Sequence, residues 1–168
     1  MDPQRPVVLI TFRTYGSWLH GDARGSVDRH RNSPTQTRLP PKPAWESYER
    51  SRMTMPEVLF TEEQRAVATR AIENLACVRG WHLYATNVRT NHAHVVAGVT
   101  GDVRQAVVAM KSAATVALRA AGLMAADAKV WSRGCSVRRL ADVVAVRTAC
   151  RYVIEGQGEG LGVVGKEV

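Results

Sequence analysis

At 168 residues and 45% apolar content, the sequence suits one globular domain spanning residues 1–168 with a full-sized core. Its 23 Lys and Arg against 15 Asp and Glu give a formal charge of +8, which favours polyanionic partners such as nucleic acid and predicts salt-sensitive binding. No apolar run approaches the roughly 18 residues that span a bilayer, and Cys77, Cys135 and Cys150 form no Cys-x-x-Cys; a membrane protein, a disulfide framework and a zinc ribbon are all disfavoured.

The N-terminus lacks the layout of a signal peptide, so a cytoplasmic protein with reduced, structural thiols is expected. Residues 7–15 are rich in β-branched and aromatic types and form the first strand, with Val8, Ile10 and Phe12 on one face. From Gly16 to about Phe60 the chain carries Pro34, Pro40, Pro41, Pro43 and Pro56 and few apolar residues. This 16–60 stretch reads as a long loop or insertion, with a short helix around Trp45 to Arg52. Within it, Tyr15, Trp18 and their neighbouring glycines either clamp a base or staple the loop to the body.

Thr61-Glu62-Glu63-Gln64 is a capping box that opens a helix, with Ala71, Leu75 and Val78 inside and Arg79-Gly80 at its close. Trp81 to Val88 and His92 to Val99 alternate as two strands of a hairpin around Arg89-Thr90-Asn91. Asp102 to Ala121 repeats apolar residues at helical spacing (Val103, Val107, Met110, Ala114, Ala117, Leu118, Ala121) and stops at Gly122. Arg104, Lys111 and Thr115 form a stripe beside that face, either a solvated flank or a track for a phosphate backbone. Residues 130–140 suggest a turn and a short strand, followed by a helix from about Asp142 to Glu155.

On that last helix Val143, Val146, Cys150, Val153 and Ile154 define the core face, and Tyr152 lies roughly opposite, unneeded for packing. Arg133, Arg138, Arg139, Arg147 and Arg151 crowd the same region, which places a nucleic-acid footprint there. Residues 156–168 open with too many glycines for regular structure and read as a flexible tail. The element order implies an α+β fold: a ferredoxin-like βαββαβ antiparallel sheet with an added C-terminal helix carrying the tyrosine.

The chemistry concentrates in Asn91-His92-Ala93-His94-Val95-Val96. Alternation along a strand turns His92 and His94 to one face, where two neutral imidazoles can share a divalent ion or simply hydrogen-bond within the sheet. A tyrosine hydroxyl, with an ordinary pKa of about 10, is a poor nucleophile unless charge on its target is offset. Two histidines, a further oxygen ligand and Tyr152 would together suffice to cut DNA through a phosphotyrosine.

With Lys111-x-x-x-Thr115 on the next helix, Arg151-Tyr152-Val153-Ile154 on the last and Thr14-Tyr15-Gly16-Ser17-Trp18-Leu19-x-Gly21-Asp22 at the start, the sequence resembles the single-tyrosine HUH transposases of the insertion-sequence-200-like type, including the REP-associated tyrosine transposases. The resemblance implies a metal-dependent endonuclease and strand transferase acting on hairpin-bearing single-stranded DNA. His92 and His94 would hold Mg²⁺ or Mn²⁺, and Tyr152 would attack the phosphate to leave a 5′-phosphotyrosine and a free 3′-OH. Family members often carry a polar ligand one turn after the tyrosine, where this chain has Gly156. Glu155, about 60° from Tyr152 on the helical wheel, and Gln157 are the remaining candidates for that ligand. Trp18 and Trp131 would either stack on unpaired bases or anchor the core and loop. Tyr152 would act within its own subunit or across a homodimer. Two other classes stay open: a domesticated hairpin-binding protein that no longer cuts, and a phosphohydrolase of small substrates, for which carboxylates near the histidines are too few.

Overall fold

The computed structural model describes residues 5–26 and 39–155; the expected 156–168 tail, Gln157 and Pro34 lie outside them. In chain order the elements are β1 (Val7–Arg13), α1 (Pro43–Ser51), α2 (Glu62–Val78), β2 (His82–Val88), β3 (His92–Gly98), α3 (Val103–Ala120), β4 (Ser136–Arg139) and α4 (Val143–Glu155). The four strands make one antiparallel sheet in the order β2-β3-β1-β4. This is the expected ferredoxin-like plan with α4 added, and α1 is the short helix expected within the 16–60 connection. Among the described residues no helix is long and apolar enough to cross a membrane.

Alternation decides what each face of the sheet buries. Val8, Ile10, Phe12 and Val95 point to the face covered by α2 and α3, where Ile72, Met110 and Leu118 complete the larger core. Each fully buried side chain of this kind stabilises the fold by about 1.5–3 kcal/mol relative to exposure. Val7 and Val96 point to the opposite face, where Val146, Ala149 and Val153 of α4 close a smaller core with Ala85 and Leu140. α2 begins with the predicted capping box, Thr61 and Gln64 satisfying each other's backbone N–H.

Several packing expectations are corrected. Val78 is 83% exposed at the last position of α2, whose buried residues are Ala68, Thr69, Ile72 and Ala76. Ala121 caps α3 and is exposed, and Val143 is exposed in the first turn of α4, whereas Ala149 is fully buried. Val78, Ala121 and Val143 each sit at a helix end, outside the set of positions that the helix buries. β1 ends at Arg13 rather than Tyr15, because Thr14 bonds through its N–H to the Asn91 carbonyl and Tyr15 to that of Val130.

The 16–60 connection is held to the body. The Ser17 and Thr14 hydroxyls donate to the Asn91 carbonyl, the Val58 N–H to Tyr15 and the Phe60 N–H to Thr90. Gly21, with φ +89°, lies against α1: a Cβ there would stand 2.4 Å from the Lys42 carbonyl oxygen. Of the two roles foreseen for this loop, stapling is the one these bonds perform.

If α4 docks through the face described, Val146→Ala costs roughly 2 kcal/mol in urea unfolding, while Val144→Ala, at a 72% exposed position, costs under about 0.5 kcal/mol. Equal losses from the two would contradict the assignment of the buried face.

Candidate functional site

β3 enters the sheet centre with His92 paired to Arg13 and His94 to Thr11 of β1, while Asn87 of β2 lies opposite His94 on the other side. Paired residues in antiparallel strands share a face, so Thr11, His94 and Asn87 form one row and Arg13 and His92 the next. This is the face that α4 covers. The imidazoles of His92 and His94 meet edge to face with ring centroids 4.7 Å apart, and the Tyr152 ring stands 5.5 Å from that of His94. The sequence expectation that the two histidines and the phenol converge therefore matches the geometry. Tyr152 is 45% exposed and takes no part in the small core.

Each imidazole is oriented through Nδ1. Asn91 Oδ1 lies 2.7 Å from His92 Nδ1, and Thr11 Oγ1 lies 2.8 Å from His94 Nδ1. An amide oxygen only accepts, so His92 donates from Nδ1, which leaves Nε2 as the nitrogen able to ligate. Burial holds the His94 pKa well below the ordinary 6.5, at about 4, with help from the positive fields of His92, Arg13 and Arg89. His94 is thus neutral near pH 7, the form in which an imidazole ligates a metal. Arg13 in turn lies flat on Trp18, with its guanidinium carbon 3.3 Å from the ring centroid, and the Trp18 indole N–H donates to the Gly25 carbonyl.

Two imidazoles tied down at Nδ1 are suited to a divalent ion as part of a ligand set. Among the described residues no group of three His, Cys, Asp or Glu side chains could hold one, so Glu155 does not join the pair as a third ligand. Gln157 lies outside the described residues.

The expected basic residues separate into two groups. Arg147 and Arg151 are exposed on α4, and Arg138 pairs with Leu9 and so faces the side of the sheet that α4 covers. Arg139 pairs with Val8 and faces the other side, and Arg133 is exposed in the turn before β4. Arg104, Lys111 and Thr115 ride on α3, across the sheet from the imidazoles. Lys111 donates to the carbonyls of Ser132 and Gly134, burial pulls its pKa down, and Thr115 donates back to the Lys111 carbonyl. Those bonds hold the 131–134 turn. Trp131 anchors the core against Phe12 and Phe60, with its indole N–H on the Lys111 carbonyl.

Sequence reasoning missed Arg13, Arg89 and Asn87. Arg13 was in reach: it follows Thr11 on the face of β1 opposite Ile10 and Phe12. Asn87 was not, because a β-bulge between Leu83 and Ala85 shifts the register of β2 and with it the face that Asn87 takes.

No family model matches the sequence, and no curated protein matches it. Among solved structures, one of a REP-associated tyrosine transposase bound to a REP hairpin superposes with a TM-score of 0.51 at 12% identity, over 91% of this chain and 67% of that one. At that identity the likeness is one of fold.

The low His94 pKa has a signed consequence for stability. The unfolded chain takes up this proton near pH 6.5 and the folded one only near pH 4, so acidification favours unfolding across that window. In chelator-treated protein the unfolding free energy therefore falls from about pH 6.5 to 4 more steeply than in His94→Gln, and the His94 ring resonances titrate near pH 4. A midpoint near 6.5 would show the imidazole to be solvated.

Proposed function

We propose that this protein is a single-tyrosine HUH-type transposase, which nicks and rejoins single-stranded DNA at hairpin-bearing ends. The observation that carries the reading is the meeting of the Tyr152 ring with the His92–His94 pair on one face of the sheet. A fold shared with a transposase whose structure holds a REP hairpin, and a charge of +8, support a DNA partner.

His92 and His94 would hold Mg²⁺ or Mn²⁺, with Gln157 as the remaining candidate for a further protein ligand. When bound, such an ion offsets the negative charge that develops on a phosphate under attack. The chain supplies the rest. Arg13 and Arg89 add positive charge beside the imidazoles, and Arg147 and Arg151, exposed on the helix that carries the phenol, would serve as phosphate contacts. Arg133, Arg138, Arg139 and Arg104 would extend the DNA path to both sides of the sheet, whereas Lys111 and Thr115 are engaged by backbone carbonyls. The Tyr152 oxygen bonds to phosphorus as the bond to the 3′-oxygen breaks. The phenolic proton passes to solvent, and the 3′-oxygen leaves as a hydroxyl after taking up a proton. The 5′-phosphotyrosine preserves the bond energy, and attack by a 3′-OH reverses the step. Since Tyr152 reaches the imidazoles of its own chain, this chemistry needs no tyrosine from a second copy.

A second reading is a hairpin-binding protein that has lost cleavage. The absence, among the described residues, of a third His, Cys, Asp or Glu beside the imidazoles favours it.

Incubation with a pool of single-stranded hairpin oligonucleotides and Mn²⁺ distinguishes the two. The transposase reading expects a covalent protein–DNA adduct on a denaturing gel that Tyr152→Phe abolishes and His94→Ala reduces by at least about 100-fold. Salt-sensitive binding with no adduct would support the second reading, and an adduct persisting in Tyr152→Phe would reject the nucleophile.

A further inference from the structure

Val153 lies in the last described turn of α4. Its carbonyl accepts a hydrogen bond from Asn87 Nδ2 at 2.8 Å, and the Asn87 side chain is fully buried. Val153 adjoins Tyr152, and Asn87 lies opposite His94 in the β2–β3 register. One strand pair therefore holds both an imidazole of the site and the backbone beside the phenol.

The bulge in β2 makes this possible. Strict alternation from the Leu83–Ala97 pair would bring Thr86 opposite His94 and turn Asn87 toward α2 and α3. The extra residue between Leu83 and Ala85 reverses that, aiming Asn87 at α4. The amide is also a costly way to fill the space, since Asn87 Oδ1 is buried with no hydrogen-bond partner among the described residues. A leucine of similar bulk would avoid that cost. What leucine cannot supply is a directional bond, and the small-core contacts of α4 with the sheet, through Val146, Ala149 and Val153, are apolar and non-directional.

We propose that Asn87 is the positioning residue for Tyr152: by gripping the Val153 carbonyl it sets where the phenol stands relative to His94. The kinetic part of this inference rests on the phosphotyrosine reading above, whereas the grip itself does not.

The test compares wild type with Asn87→Leu, which keeps the bulk and removes the donor, and with Asn87→Ser should the leucine variant fail to fold. Three quantities are read: the single-turnover rate of adduct formation on the hairpin oligonucleotide pool with Mn²⁺, the affinity for the same pool, and amide hydrogen exchange over residues 151–155. Misplacing a nucleophile by about 1 Å costs on the order of 100-fold in rate, so the adduct rate should fall by about that factor while affinity stays within threefold. Exchange over 151–155 should quicken at least tenfold. An adduct rate within threefold of wild type, or a loss of rate matched by an equal loss of affinity, overturns the positioning role. Should wild type form no adduct, the function reading fails and exchange alone decides: unchanged protection overturns the grip, and tenfold faster exchange upholds it.

Discussion

A strand turns every second side chain to the same face, and on β3 this rule sends His92, His94 and Val96 together under α4. The candidate site depends on that alternation. Ala93, Val95 and Ala97 point the other way into the larger core, where they are fully buried, so a one-residue slip of β3 would bury both imidazoles among apolar side chains and expose three core residues. The packing that stabilises the sheet thereby also fixes the direction of the histidines. The remaining degree of freedom is the placement of α4, which its small apolar core and the bond from Asn87 to Val153 settle.

The electrostatics of the row follow from the same geometry. A half-buried strand face with arginines at 13 and 89 disfavours protonation of His94, which stays neutral although the chain as a whole is basic. A neutral imidazole beside fixed positive charge is suited to an anion together with a cation that the imidazole can ligate, and a phosphodiester with a divalent ion is one such combination. Trp18 holds Arg13 from the loop side, so the staple that fastens residues 14–26 to the hairpin also steadies a charge of the site.

Much of the fold and the centre of the site were legible in the sequence, because the signals were local. The capping box at Thr61, the glycine after Arg79 and the apolar period of α3 are each written within one element, and His-x-His on an alternating strand declares its own face. Tyr152 was legible as the residue α4 does not need for packing. Longer-range features were hidden. The exposure of Val78 and Val143 depends on how a helix end packs in the tertiary structure, and the ties from Lys111 to Ser132 and Gly134 depend on a turn distant in sequence. Asn87 was the least visible of all, since one inserted residue in β2 decides which face it takes and alternation cannot announce its own interruption.

The claim on which the account turns is that the imidazole pair and the phenol of α4 surround a single cation position. Proton NMR during titration with substoichiometric Mn²⁺ tests it directly, because the paramagnetic ion broadens only nearby resonances. The account predicts that the ring signals of His92, His94 and Tyr152 broaden together while those of His82, near the far end of the hairpin, stay sharp. Broadening centred elsewhere, or an unaffected Tyr152 ring beside broadened imidazoles, would contradict it.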